Sequence, residues 1–78
     1  MAIKVKPVLS AVVVYVPGFG KCRVATKVTI RLGDMPVAMA TLGGRATQAD
    51  ALREFHKAPQ RFQKLEGWEM ARAFRLVA

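Results

Sequence analysis

The residues with chemically reactive side chains are few and stand apart in the sequence. The single histidine, His56, has Glu54 two residues away. On a helix this spacing turns the two side chains to different faces, so they do not form a local general acid–base pair. The single cysteine, Cys22, is predicted on the apolar side of a strand, where a thiol behaves as a small hydrophobic group and not as a nucleophile. We therefore expect a non-enzymatic protein with no catalytic residue, no metal and no cofactor.

Two glycine-containing segments have a composition that can cradle a phosphate. Gly20-Lys21 has the last two residues of a P-loop before its Ser or Thr, but Cys22 takes that third position and a strand follows where a helix is required. Gly43-Gly44-Arg45 leads into a predicted helix N-terminus, whose free amides and dipole favour an anion. We predict Gly44 and Arg45 as an anion-binding site, with an ordinary strand-to-helix connection as the alternative.

The cationic residues are the most informative set of side chains. The chain has 13 Lys and Arg against five Asp and Glu, a net charge of +8, and every acid comes after residue 33. An imbalance of this size is typical of a protein with a negatively charged partner. The alternative is a solvated surface that only keeps the protein soluble. The predicted partner-binding residues are Lys4, Lys6, Lys21, Arg23, Lys27 and Arg31, with Tyr15 as a stacking residue.

A predicted strand over residues 21–32 must position most of these cations. Apolar and basic side chains alternate along it, which predicts one buried and one solvated face. Gly33-Asp34 predicts a type II′ turn into a second strand over residues 35–42. On the buried face we expect the pairs Leu32–Met35, Ile30–Val37 and Val28–Met39. On the basic face we expect the pairs Arg31–Pro36, Thr29–Ala38 and Lys27–Ala40.

The preceding strand, residues 11–16, meets residue 21 across a loop whose length decides which side chains share a face. We expect a three-residue loop, Gly18-Phe19-Gly20, which puts Val12, Val14 and Val16 on the apolar face and Tyr15 among the cations. A four-residue loop would reverse both and leave a valine stripe among the basic residues. Residues 3–6 are predicted as a further edge strand, on which Lys4 and Lys6 discourage edge-to-edge pairing.

The second half of the chain favours helices. Thr47 with Asp50 three residues later predicts a capped helix that runs to about Lys57. Pro59 is expected to open a second short helix, which carries Phe62 and Leu65 and ends at Gly67. Residues 68–77 fit both a helix and a strand, and their helix propensity favours a helix. That helix would place Met70, Ala73, Phe74 and Val77 on one face.

These elements predict one α+β domain over residues 1–78, with an antiparallel sheet of three to four strands and two or three short helices packed on one face. A chain of 78 residues with 53% hydrophobic residues is too apolar for a disordered tail and too short for two domains. The apolar run of residues 8–16 is about half the length needed to cross a bilayer as a helix. It also lacks a signal-peptide cleavage site, so we expect a cytoplasmic protein with no membrane partner.

In its size, lone cysteine, charge bias and lack of catalytic residues, the chain resembles the small single-domain proteins of phages and prophages, including the anti-CRISPR inhibitors. This resemblance implies a stoichiometric inhibitor that occupies a site on a CRISPR surveillance complex or another host nucleic-acid machine. The leading prediction is therefore a basic sheet face that docks on an acidic protein surface of a nucleoprotein complex. The alternative is a direct, non-sequence-specific nucleic-acid-binding protein. The sequence leaves the choice between monomer and homodimer open.

Overall fold

The computed structural model describes residues 5–18 and 20–75. Along the chain it has β1 (Val5–Val16), β2 (Lys21–Leu32), β3 (Met35–Gly43), α1 (Gln48–Lys57), a 3₁₀-helix (Pro59–Arg61), β4 (Gln63–Lys64) and α2 (Trp68–Ala73). The four strands form one antiparallel sheet in chain order, with β1 and β4 at its edges. The predicted α+β class with an antiparallel sheet is confirmed.

The loop between β1 and β2 differs from the prediction. Val16 pairs with Lys21, so four residues, 17–20, connect the strands, and Gly18 and Gly20 take the positive φ angles of +88° and +59°. The register puts Val12, Val14 and Val16 on the same face as Arg23. Tyr15 pairs with Cys22 on the other face. The three-residue loop and the expected positions of these side chains are therefore wrong.

The first residues of β1 explain this register. Within the predicted edge strand over residues 3–6, Val5 and Lys6 belong to β1, which continues to Val16 without a break, and residues 3 and 4 lie outside the described residues. Its register places Val5 and Leu9 against the hydrophobic core and buries Pro7. A shift by one residue would turn Lys6 to the core instead, because strand side chains alternate between faces. Burial of a charge costs far more than exposure of a few valines at the other end of the strand.

The turn between β2 and β3 is confirmed, but the strands beyond it are not paired as predicted. Gly33 has a φ of +62°, and Leu32–Met35 and Arg31–Pro36 are the expected pairs. A bulge then makes Val37 an extra residue, so the four remaining predicted pairs are wrong. The observed pairs are Ile30–Ala38, Thr29–Met39, Val28–Ala40 and Lys27–Thr41. The carbonyls of Pro36 and Val37 accept hydrogen bonds from the N–H groups of Gly67 and Leu65, each at 2.8 Å, so contacts distant in sequence hold the bulge.

One hydrophobic cluster joins the sheet to the helices. It contains Val28, Ile30, Leu32, Val37 and Ala38 from the sheet with Ala51, Phe55, Phe62, Trp68 and Ala71 from the second half of the chain. The Phe55 ring meets the rings of Phe62 and Trp68 edge-on, with centroids 5.2 and 6.2 Å apart. Three aromatic side chains of the core are thus packed together, with Phe55 in contact with both of the others.

The helices begin largely where the sequence predicts. Thr47 and Asp50 form the predicted capping box of α1, which ends at Lys57. Pro59 opens a single 3₁₀ turn, and Gly67 precedes α2 instead of ending a helix. Residues 68–73 are helical, which confirms the favoured structure there, and Met70 and Phe74 are exposed. Val77 lies outside the described residues.

The β1–β2 hairpin extends beyond the rest of the sheet. β3 pairs with β2 only from Ala25 onward, so residues 13–18 and 20–24 form a two-stranded projection, which we call the arm. The molecule is elongated, 48 Å by 22 Å by 19 Å. No helix in the described residues has the length and apolar composition that crossing a membrane requires.

Candidate polyanion-binding face

Register places four of the predicted cations on one face of the sheet. Lys6 pairs with Arg31, Ser10 with Lys27 and Val14 with Arg23, and directly opposed residues share a face. We call the face that carries Lys6, Arg23, Lys27 and Arg31 the cationic face. β1, β2 and β3 contain no acidic residue. No acidic side chain on these three strands therefore offsets the positive charge of the cationic face.

The side chains of the cationic face have few partners within the chain. Lys6, Arg23 and Lys27 are exposed, whereas Arg31 is half-buried and donates a hydrogen bond to the carbonyl oxygen of Asp34 at 2.6 Å. Within residues 5–18 and 20–75, the ion pair that forms lies on α1 and joins Arg53 to Asp50. The cations of this face are thus not neutralised by internal salt bridges in the described chain.

The cations follow the long direction of the sheet. Arg23, Lys27 and Arg31 recur every four residues on β2. At ~3.3 Å per residue, the Cα atom of each cation is about 13 Å from that of the next cation. Lys6 extends the row on the neighbouring strand, beside Arg31. The arrangement is a track of positive charge, which matches a linear array of negative charges better than a single small anion.

Apolar side chains lie between these cations. Val8 and Val14 are 44% and 41% exposed, and Val12 and Val16 are half-buried. A shallow depression of about 430 Å³ lies at the base of the arm, where β3 ends. Its lining residues are Val14, Arg23, Val24, Ala25, Thr41, Gly43 and Gly44. The cationic face therefore offers van der Waals contact next to charge.

The other predicted partner-binding residues do not all join this face. Tyr15 is 62% exposed but lies on the opposite side of the arm, so it does not stack beside Arg23 or Lys27. Lys21 is the first residue of β2, opposite Val16. Lys4 lies outside the described residues.

The predicted anion site around Gly44 and Arg45 already contains internal acceptors. The Ala46 N–H donates to Thr26 Oγ1 at 2.9 Å, and the Thr47 N–H donates to Asp50 Oδ2 at 3.1 Å. The latter bond is the main reason that the pKa of Asp50 lies below its ordinary value of 3.8. This carboxylate supplies negative charge at the helix N-terminus itself, which reduces the attraction for an external anion.

Thr26 is a structural residue that sequence reasoning missed. Its hydroxyl donates to the carbonyl of Gly44 at 2.9 Å while accepting from Ala46, and the Gly44 N–H donates to the carbonyl of Val24 at 3.0 Å. These bonds fix the start of the connection to α1 on the sheet. The signal in the sequence was a polar residue within an alternating apolar row, which the prediction treated as an ordinary member of that row.

The described residues bring together no cluster with evident catalytic chemistry. Cys22 is exposed because it lies on the arm beyond the helices, which corrects its predicted burial. His56 is exposed on α1. Residues 5–18 and 20–75 hold no group of three or more His, Cys, Asp or Glu side chains arranged to bind a metal ion. Comparison with protein families, curated proteins and solved structures found no match to this chain.

Proposed function

We propose that this chain is a non-enzymatic binding module that uses the cationic face to engage the phosphate backbone of nucleic acid. The observation that carries the proposal is the collection of Lys6, Arg23, Lys27 and Arg31 on one side of an acid-free sheet. A protein that neutralises several phosphates releases their condensed counterions, and this release favours binding.

We further infer that the helices occupy only the opposite face. In support, Ala51 of α1 and Ala71 of α2 cluster with Val28, on the side of β2 away from Lys27. The exposure of Val8 and Val14 also favours an uncovered cationic face. A nucleic acid would then reach the cations without displacing any part of the domain.

The linear order of the cations favours a polyanion. Arg23 and Arg31 are eight residue steps apart on β2, with Lys27 midway between them, and this separation is about 26 Å at ~3.3 Å per residue. Duplex DNA carries about one charge per 1.7 Å of its axis, so a track of this length meets many phosphates. The sheet offers no helix to enter a groove, and we propose contact with the backbone without selection of base sequence.

A second candidate is docking on an acidic protein surface of a nucleoprotein complex. The exposed valines between the cations favour it, because protein interfaces combine apolar contact with charge complementarity. An inhibitor of a CRISPR surveillance complex, which the resemblance to small phage proteins implies, would belong to this class. No residue of this chain is assigned to such an inhibitor by the resemblance.

A pair of charge reversals tests the proposal. Arg23→Glu with Lys27→Glu should weaken binding to random duplex and single-stranded DNA, measured by fluorescence anisotropy at ~50 and ~200 mM salt. Each phosphate contact contributes roughly 0.9 to the slope of log affinity against log salt for duplex DNA, so loss of two contacts should lower that slope by about 1.8. Thermal stability should change by less than about 1 kcal/mol, because both side chains are exposed.

The matched control is Arg61→Glu with Arg72→Glu. Both of these arginines are exposed, and they belong to the 3₁₀-helix and to α2. Each reversal lowers the net charge by two, so both double variants carry +4 instead of +8. Equal weakening by the two variants would mean that total charge and not the cationic face drives binding. If the wild-type chain fails to bind DNA at ~50 mM salt, the first candidate is wrong and the acidic protein surface becomes the leading one.

A further inference from the structure

The outer edge of β1 has the features of a strand that pairs with another strand. β1 is twelve residues long and, in the described chain, pairs only with β2. The Pro7 carbonyl accepts a hydrogen bond from Gln48 Nε2 at 3.4 Å, so the α1 end of this edge is occupied. From Val8 to Val16 the strand contains no charge and no proline. Natural edge strands usually carry charged residues or proline, which prevent pairing with another strand.

The arm also exposes apolar side chains on the face opposite the cations. Val13 is 70% exposed, Tyr15 62% and Val24 45%. They lie beyond the helices, so no part of the described chain covers them. A strand that pairs with the β1 edge should extend the sheet and also cover the apolar side chains of the arm.

We propose that the partner of the β1 edge is a second copy of this chain, paired antiparallel with β1 about a twofold axis at Val12. The free segment, residues 8–16, has Val12 at its centre. The axis places Val12 opposite itself, Val8 opposite Val16 of the second copy, and Ser10 opposite Val14 of the second copy. These residues all belong to the cationic face. On the other face, Leu9 meets Tyr15 of the second copy.

Face matching and burial support this register. Opposed residues in an antiparallel pair share a face, so a flat continuous sheet requires even-numbered residues of one copy to meet even-numbered residues of the other. Leu9 packs against the hydrophobic core, whereas Tyr15 is exposed. The pairing therefore sets the exposed arm of each copy beside the packed part of the other. Apolar side chains meet apolar or small side chains on both faces.

Charge does not oppose this pairing despite the net +8. The cations of β2 in the two copies are separated by three strand spacings, about 14 Å at ~4.8 Å per spacing. This distance exceeds the Debye length of about 8 Å at physiological ionic strength. Lys6 falls opposite Gly18 of the second copy, so no two cations meet. The twofold register thus pairs each of residues 8–16 with an uncharged residue of the same segment in the second copy.

Dimerisation would enlarge the surface proposed to bind nucleic acid. Because the twofold axis stands perpendicular to the sheet, the cationic faces of both copies lie on the same side of an eight-stranded sheet. The two rows of cations then flank a central strip formed by Val8, Val12, Val14 and Val16 from each copy. Two linked sites raise the overall affinity for one long polyanion. The dimer itself does not depend on that function.

The molecular mass of the wild-type protein in solution tests the pairing without any ligand. Sedimentation velocity between ~1 and ~100 μM should show a dimer, and Val12→Lys should shift it to monomer because two lysines would meet on the axis. Thr41→Lys adds the same charge at an exposed position on β3 of the cationic face and should leave the dimer intact. A wild-type monomer at ~100 μM, or a dimer unaffected by Val12→Lys, would overturn the proposal.

Disulfide cross-linking tests the register with variants that add no charge to β1. In a Cys22→Ser background, Val12→Cys should form an intermolecular disulfide under mild oxidation. Val8→Cys should not, because the two copies of residue 8 would lie eight residues apart along the strand, about 26 Å at ~3.3 Å per residue. Equal cross-linking of the two variants would refute the axis at Val12, as would a dimer in which Val12→Cys does not cross-link.

Discussion

Thr26 joins the sheet to the segment that leads into α1, and replacing it with valine tests how much this joint contributes. The side chain is 5% exposed, and its hydroxyl makes two hydrogen bonds of 2.9 Å, with the Gly44 carbonyl and the Ala46 N–H. Valine has nearly the same shape, so the change removes the bonds and leaves the packing. With about 1 kcal/mol for each bond, and some penalty for the N–H left half-buried without a partner, the loss should be about 2–3 kcal/mol.

The measurement is urea unfolding followed by circular dichroism, with a thermal scan beside it. For a domain of this size, 2–3 kcal/mol should lower Tm by roughly 10–20 °C. Thr41→Val is the control, because it makes the same chemical change at an exposed position of β3 and should shift stability by less than ~0.5 kcal/mol. If Thr26→Val is no more destabilising than Thr41→Val, the assigned role of Thr26 is wrong.

Two further predictions concern the second half of the chain. Gly67→Ala should destabilise the domain by about 1–3 kcal/mol in urea unfolding, because its Cβ would lie 2.8 Å from the Pro36 carbonyl oxygen, to which the Gly67 N–H already donates. Gly43→Ala, whose Cβ meets nothing within 4 Å, is the control, and equal effects of the two changes would contradict this reasoning. The N–H of Thr47 holds the pKa of Asp50 below 3.8, so the carboxylate contributes stability that is present above that value and is lost as pH falls through the lowered pKa. The difference in Tm between wild type and Asp50→Asn should therefore shrink below pH 3.8, and a constant difference between pH 7 and pH 2 would disprove the assignment.

Features that depend on neighbouring residues could be predicted from the sequence. The alternation over residues 21–32 predicts β2, and Gly33-Asp34 predicts the turn that follows it. Thr47 and Asp50 predict the start of α1. The common side of Arg23, Lys27 and Arg31 follows from the same alternation, because residues of equal parity on one strand share a face.

The position of Tyr15 could not be predicted from the loop alone. Three-residue and four-residue loops are both compatible with Gly18 and Gly20, and local geometry favours neither. The distant pairing of Val5 and Leu9 with Leu32 and Val28 decides between them, because it keeps Lys6 out of the core. A choice made at one end of a hairpin thus depends on burial at the other end.

The sequence by itself determined β2, β3, the capped helix and the separation of basic from apolar side chains along β2, because these depend on contacts within a few residues. Tertiary structure alone decided the bulge at Val37, which is held by the N–H groups of Leu65 and Gly67. It also decided that no other part of the described chain covers the arm. Two helices of ten and six residues are too short to cover a molecule 48 Å long. No local pattern in residues 13–24 predicts where those helices end.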